Sequence, residues 1–284
     1  MNKTSSSVQD RIATLSTWGT ALMMSSLFVW LLSGIVLNGL TELSWDFLVN
    51  PPMNAGREGG ISSILVSTGL ILLVCMTVSL PLGLGTAVLL AEWTTKRNVV
   101  SRMIRRSLDM LAGVPSIVFG LFGNAFFCVM LGMGFSILSG GLTLACMVLP
   151  ILIRSIEEGL RSVPGDYRLS AAALGLRRTA TLRHLLIPAA IPGLLAGFIL
   201  GLGRAIAETA ALIFTSGYVD RMPESLWDSG RALSIHIYDL SMNVPGGDSK
   251  AYASALTLIM ILVMISSLST WIGSNWASRR LKFA

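Results

Sequence analysis

Five stretches of this chain carry no acidic or basic side chain: residues 12–41, 59–91, 110–153, 185–203 and 251–278. Together they make up more than half of the 284 residues. A helix needs about 20 apolar residues to cross a hydrocarbon core, and each stretch is of that order or longer. The composition agrees, at 53% hydrophobic and 13% charged, where a soluble domain carries about 25% charged residues. An ordinary soluble enzyme, a disordered chain and a disulfide-stapled secreted domain are excluded. The reading is an all-α polytopic membrane protein.

The number of spans follows from length. Residues 110–153 as one helix would extend about 66 Å, twice the roughly 30 Å of hydrocarbon, so they must hold two helices. The break is expected among Gly132, Gly134, Gly140 and Gly141. Six spans result: Trp18 to Leu40, Ile61 to Ala91, Leu108 to Leu131, Leu142 to Ile156, a fifth from Leu185 past Arg204 and Glu208, and Tyr252 to Trp276. Pro81 is expected to kink the second.

Orientation comes from Lys and Arg. Sixteen of the 21 lie in the N-tail, residues 92–106, residues 154–184 and the C-tail, and four in the opposite loops. The positive-inside rule places both termini in the cytoplasm. The expected division is a cytoplasmic tail 1–17, a transmembrane unit 18–276 with a cytoplasmic loop 154–184 and an outer loop 212–251, and a cytoplasmic tail 277–284. The first apolar stretch exceeds a signal-peptide core and reads as a retained helix. The net charge of +6 does not point to nucleic acid, because the bases flank apolar segments. Cys75, Cys128 and Cys146 lie within apolar stretches and read as small core residues, with no metal spacing.

The loop SVPGDYRLSAAALGLRRTATLRHLLIP reads as an amphipathic helix outside the membrane, beginning at Pro164. Leu169, Ala172, Ala173, Leu176 and Ala180 recur at helical spacing, flanked by arginines. Such a helix can lie on lipid headgroups. Its apolar face is mostly alanine, which suits close protein contact, and both readings stay open on physical grounds.

The fifth span carries GLGRAIAETAAL. Arg204 and Glu208, at i and i+4, share a helix face and can pair. Charge inside a bilayer is costly and marks a cavity, a partner or an interface. One reading is a helix-stabilising pair near the outer end. The other is an anion site, in which Arg204 offers a planar, permanently charged fork and Glu208 holds it. Asp109 reads as a helix-start acid and Arg154 as an interface anchor. His184 and His236 read as loop residues without a role.

After Gly175 come nine residues, then Leu185, Leu186, Ile187 and Pro188. This spacing resembles the cytoplasmic coupling loop of ABC importer permeases, the EAA loop, with Ala171 at its second alanine. Leu169 and Ser170 stand where that pattern has glutamate and alanine. Within this class, LAGVPSIVFGLFG (Leu111 to Gly123) and GRAIAETA (Gly203 to Ala210) are similar to the permeases of high-affinity phosphate importers. Ile235 to Leu256 is more similar to the PstA type than to the PstC type. The resemblance implies a type I ABC importer permease fold in the bacterial cytoplasmic (inner) membrane. It also implies a PstC-like second permease, a PstB-like ATPase dimer and a PstS-like phosphate-binding protein outside. Under it Arg204, Glu208 and Arg154 belong to the phosphate path. Leu169, Ser170, Ala171, Gly175 and Pro188 belong to the ATPase coupling loop. The remaining partners are phosphate and membrane lipid, and no cofactor is expected in this chain. The four lysines lie outside any G-x-x-x-x-G-K-[ST] loop, so ATP hydrolysis would belong to another polypeptide. Competing readings are a permease for sulfate or molybdate and a stand-alone secondary anion transporter. A membrane enzyme lacks any catalytic motif here.

Overall fold

A computed structural model describes residues 3–94 and 98–281; Lys96, Arg97 and Lys282 of the charge count lie outside the described residues. Twelve α-helices are present among them. They are α1 (Lys3–Glu42), α2 (Trp45–Val49), α3 (Ser62–Val88), α4 (Val99–Ala112), α5 (Ser116–Gly123), α6 (Ile137–Arg161), α7 (Gly165–Ala173), α8 (Arg178–Thr181), α9 (Ile187–Ile206), α10 (Ala210–Ile213), α11 (Leu233–Met242) and α12 (Asp248–Leu281). A two-residue ribbon, β1 (Pro52–Met53) with β2 (Glu58–Gly59), closes the turn between α2 and α3.

Wide π turns prolong three of the helices. Leu89–Trp93 follows α3, Asn124–Met130 follows α5, and Leu182–Leu186 joins α8 to α9. Five continuous segments are long and apolar enough to cross a membrane: Asp10–Glu42, Ser62–Trp93, Ile137–Arg161, Arg178–Ile206 and Asp248–Gly273. A sixth span requires counting α4 and the α5 segment together, and these are bent by 101°.

That bend corrects the expected third span, Leu108 to Leu131. Pro115 disfavours helical geometry at Val114 and sets the start of α5, so the chain turns at Gly113–Pro115. The next break falls at Gly132 and Gly134, which take φ of +67° and +61°, a region that suits glycine. Gly140 and Gly141 lie inside α6, which Ser136 caps by accepting the amide of Ser139 at 3.1 Å. The fourth span therefore runs longer than Leu142 to Ile156. Helix α3 continues through Pro81.

Helix α6 is the centre of the fold. Ile137, Leu144, Val148, Leu152 and Leu160 on it are fully buried. Glycines bring α9 close: a Cβ on Gly201 would stand 2.9 Å from the side chains of Val148 and Leu152, and one on Gly197 2.8 Å from Ser155. On the other side a Cβ on Gly141 would stand 2.6 Å from Val74 of α3. Small residues at such crossings let helices gain dispersion contact where lipid removes the hydrophobic drive. Helix α1 contributes nothing buried over its most apolar window. It lies along α12, where Gly39 meets the Tyr252 carbonyl and Glu42 pairs with Lys250 at 2.7 Å.

Candidate functional site: an intramembrane arginine and a cytoplasmic coupling loop

Arg204 and Glu208 do pair, with Nη2 to Oε2 at 3.4 Å, but not on one continuous helix. Helix α9 ends at Ile206, and α10 begins at Ala210. Glu208 occupies the break. It is buried, accepts the Ala211 amide at 3.2 Å, and its carbonyl accepts the Ser234 hydroxyl at 2.6 Å. The carboxylate therefore supplies the turn with an acceptor where the helix leaves amides unsatisfied. Arg204 keeps 47% of its side chain exposed. Its guanidinium reaches the Met147 sulfur at 4.0 Å, the eleventh residue of the 25 in α6, so it stands near the middle of that span.

Arg154 lies seven residues further along α6, two helical turns and about 10 Å, on the same face as Met147. It pairs with Asp109. The expectation of separate roles for these two is corrected. Asp109 sits in the last turn of α4, where the helix dipole disfavours an acid, and its partner is Arg154. Beside this pair an apolar groove of about 470 Å³ is lined by Leu108, Leu111, Val114, Phe122, Leu149 and Ile153, among others.

The cytoplasmic loop is two helices, not one. Helix α7 ends at Ala173, Gly175 takes φ of +70° with open space around its Cβ position, and the chain re-enters helix at Arg178. The fifth span thus begins at 178 rather than 185, and His184 lies within it. Ala171 is the buried residue of α7, while Leu169, Leu174 and Leu176 are exposed at 71%, 78% and 44%. Ser170 is exposed, and Pro188 is half-buried at the start of α9.

Arg168 fastens α7 to the end of α3. It donates to both Glu92 carboxylate oxygens, at 2.6 and 3.2 Å, and to the Leu160 and Val163 carbonyls. Next to it Glu157, with 6% of its side chain exposed, binds Arg105 at 2.6 Å and Arg161 at 2.7 Å. Both arginines also donate to the Leu90 carbonyl. Sequence reasoning missed Glu92 and Glu157. The signal available was an acid at the inner end of a span with bases in the neighbouring loops.

The family model for the binding-protein-dependent transport system inner membrane component matches residues 79–279. The chain belongs to this family. Over 282 residues the permease is 31% identical to the probable ABC transporter permease protein YqgI of Bacillus subtilis, covering 94% of this chain and 96% of that protein. It is 31% identical over 255 residues to the phosphate transport system permease protein PstA 2 of Mycobacterium bovis, covering 89% and 83% respectively. Among solved structures, a bacterial ABC transporter involved in importing the acidic polysaccharide alginate superposes with a TM-score of 0.57 at 14% identity, covering 94% of this chain and 99% of that one. The fold is that of type I ABC importer permeases. The permease is a non-enzymatic, multi-pass inner-membrane subunit, and an ATPase and a substrate-binding protein are its partners by family.

Proposed function

We propose that this permease forms the translocation path of an ATP-driven importer of inorganic phosphate, with Arg204 as the cation that the anion passes. One observation carries the reading. A half-exposed guanidinium stands at mid-span, and the carboxylate that holds it is buried and tied into the α9–α10 break. An oxyanion gains charge-assisted hydrogen bonds from such a fork, and Glu208 offsets the charge while the site is empty. The PstA names of relatives covering most of the chain support phosphate as the cargo. Arg154, two turns nearer the cytoplasm and paired with Asp109, is the second cation of the path.

A PstC-like permease supplies the other half of the pathway, a PstB-like ATPase dimer seats against α7, and a PstS-like protein delivers phosphate from outside. The exposed leucines 169, 174 and 176 and the glycine hinge at 175 form the surface for the ATPase, with Ser170 and Ala171 beside them on α7 and Pro188 following where α9 begins. The permease unit is 18–276, between tails 1–17 and 277–284.

The test is uptake of radiolabelled phosphate by vesicles holding all partner subunits, with ATPase rate and assembly measured alongside. Arg204→Gln should assemble and hydrolyse ATP while losing about tenfold to a hundredfold of uptake, the worth of one charge-assisted hydrogen-bonding group. Normal uptake by that variant overturns the role of Arg204. Uptake of sulfate in place of phosphate by the unaltered complex overturns the cargo.

A further inference from the structure

Helix α4 presents three different faces. Ser101 and Leu108 are buried, and Arg105 turns to the same side to reach Glu157. The opposite side carries Val99, Met103 and Met110, 60%, 64% and 73% exposed. At 100° per residue these three fall within one 40° sector, and Arg102 and Arg106, both exposed, border it on one side. The helix stands 101° from the Ser116–Met130 segment that follows it, so it lies across the direction of that span. Its position is the inner end of the bundle, the side that holds sixteen of the chain's bases.

A helix crosswise to a span, with an apolar stripe edged by arginine, is built for the headgroup boundary. Neither Arg102 nor Arg106 lies within ion-pairing distance of an acid among the described residues, whereas Arg105 on the same helix is spent on one. We propose that α4 is an anionic-lipid binding element: Met103 and its neighbours rest in the acyl boundary of the cytoplasmic leaflet, and Arg102 and Arg106 bind lipid phosphate. Charge complementarity selects this occupant. The inner leaflet presents anionic headgroups at the depth where both guanidinium groups stand, while the apolar stripe meets acyl chain at once. The element is distinct from the transported anion's path by its partners: Asp109, on the side of α4 that Arg102 borders, pairs with Arg154 of α6, while Arg102 and Arg106 pair with no acid among the described residues.

The experiment uses the assembled importer. Phosphatidylglycerol is titrated into the detergent-purified complex and bound lipid is counted by native mass spectrometry. In parallel, a spin label at Met103→Cys reports access to oxygen and to a water-soluble nickel chelate after reconstitution. The label should be reached by oxygen and shielded from nickel. Each of Arg102→Gln and Arg106→Gln should weaken phosphatidylglycerol binding about fivefold, and the double variant about thirtyfold, while Arg102→Lys with Arg106→Lys retains it. Phosphatidylcholine should show no arginine dependence, and added inorganic phosphate should not displace the lipid. A nickel-accessible label, a label shielded from both probes by the ATPase, displacement by inorganic phosphate, or unchanged lipid binding in the double glutamine variant would each overturn the proposal. Because the readouts are lipid binding and depth, their failure leaves the phosphate reading to be judged by uptake.

Discussion

Glu157 is the residue on which the inner end of the bundle turns. Its carboxylate accepts from two arginines, which come from α4 and α6 and also share the Leu90 carbonyl of α3's extension. Removing one partner of a buried pair leaves the other uncompensated, at 3–5 kcal/mol in a closed interior. Here Arg105 and Arg161 are about a third exposed and can turn toward water, so Glu157→Ala should cost nearer about 2 kcal/mol, read as thermal unfolding of the complex in detergent. On the outer side, His236 is buried without a partner for either ring nitrogen. Burial, and then the Arg231 guanidinium, push it down to about 4, against the pull of Asp239. Its folded value lies below its unfolded value near 6.5. The neutral ring therefore contributes fully above pH 6.5, and the contribution is lost as pH falls toward 4, up to about 3 kcal/mol. Hydrogen exchange across residues 231–242 should quicken over that window, and His236→Leu should flatten the dependence. The sequence placed His236 in a loop because nothing local marks it as buried; Gly56, far away in the chain, packs against its ring.

At the scale of elements, the break at Gly175 separates two short helices that a single amphipathic helix would have fused. Its cost is conformational alone, since a side chain there meets no atom. A non-glycine residue in left-handed geometry costs roughly 1–2 kcal/mol, less for asparagine, which visits that region readily. Gly175→Asn should therefore keep most of the coupling between ATP hydrolysis and uptake, and Gly175→Val should lose most of it, measured as phosphate moved per ATP. Equal retention by both variants would show that the left-handed turn is not needed for coupling. Charge-free length was enough to read five of the six expected spans and the i, i+4 spacing of Arg204 and Glu208. It was not enough for the end of α9 at Ile206, because GRAIAETA holds no helix breaker; Ser234, on α11, accounts for it by bonding the Glu208 carbonyl. The bend before α5 was legible in GVP at 113–115 and was overridden by the uninterrupted apolar run around it.

Across the whole molecule, what the sequence hid was long-range pairing. Arg105 finds Glu157 across 52 positions and Arg168 finds Glu92 across 76, distances at which charge counting sees only loops. What it showed well was the sidedness of the molecule, because sixteen bases against four is a global property. The same inner end gathers α4, α7 and the close of α3 into one charged assembly, with the mid-span arginine and the α9–α10 break beyond it. One of the three π turns gives that layout a mechanical consequence. Among the described residues Leu182–Leu186 alone of the three has helix on both sides, so tightening it to α geometry would rotate α9 by about 100° and advance it by about 1.5 Å. Two of them sit where α3 and the fifth span meet the coupling loop. The turn before α9 would work as a worm gear, converting a small axial push at the cytoplasmic face into a large change in which side chains the fifth span shows to its neighbours.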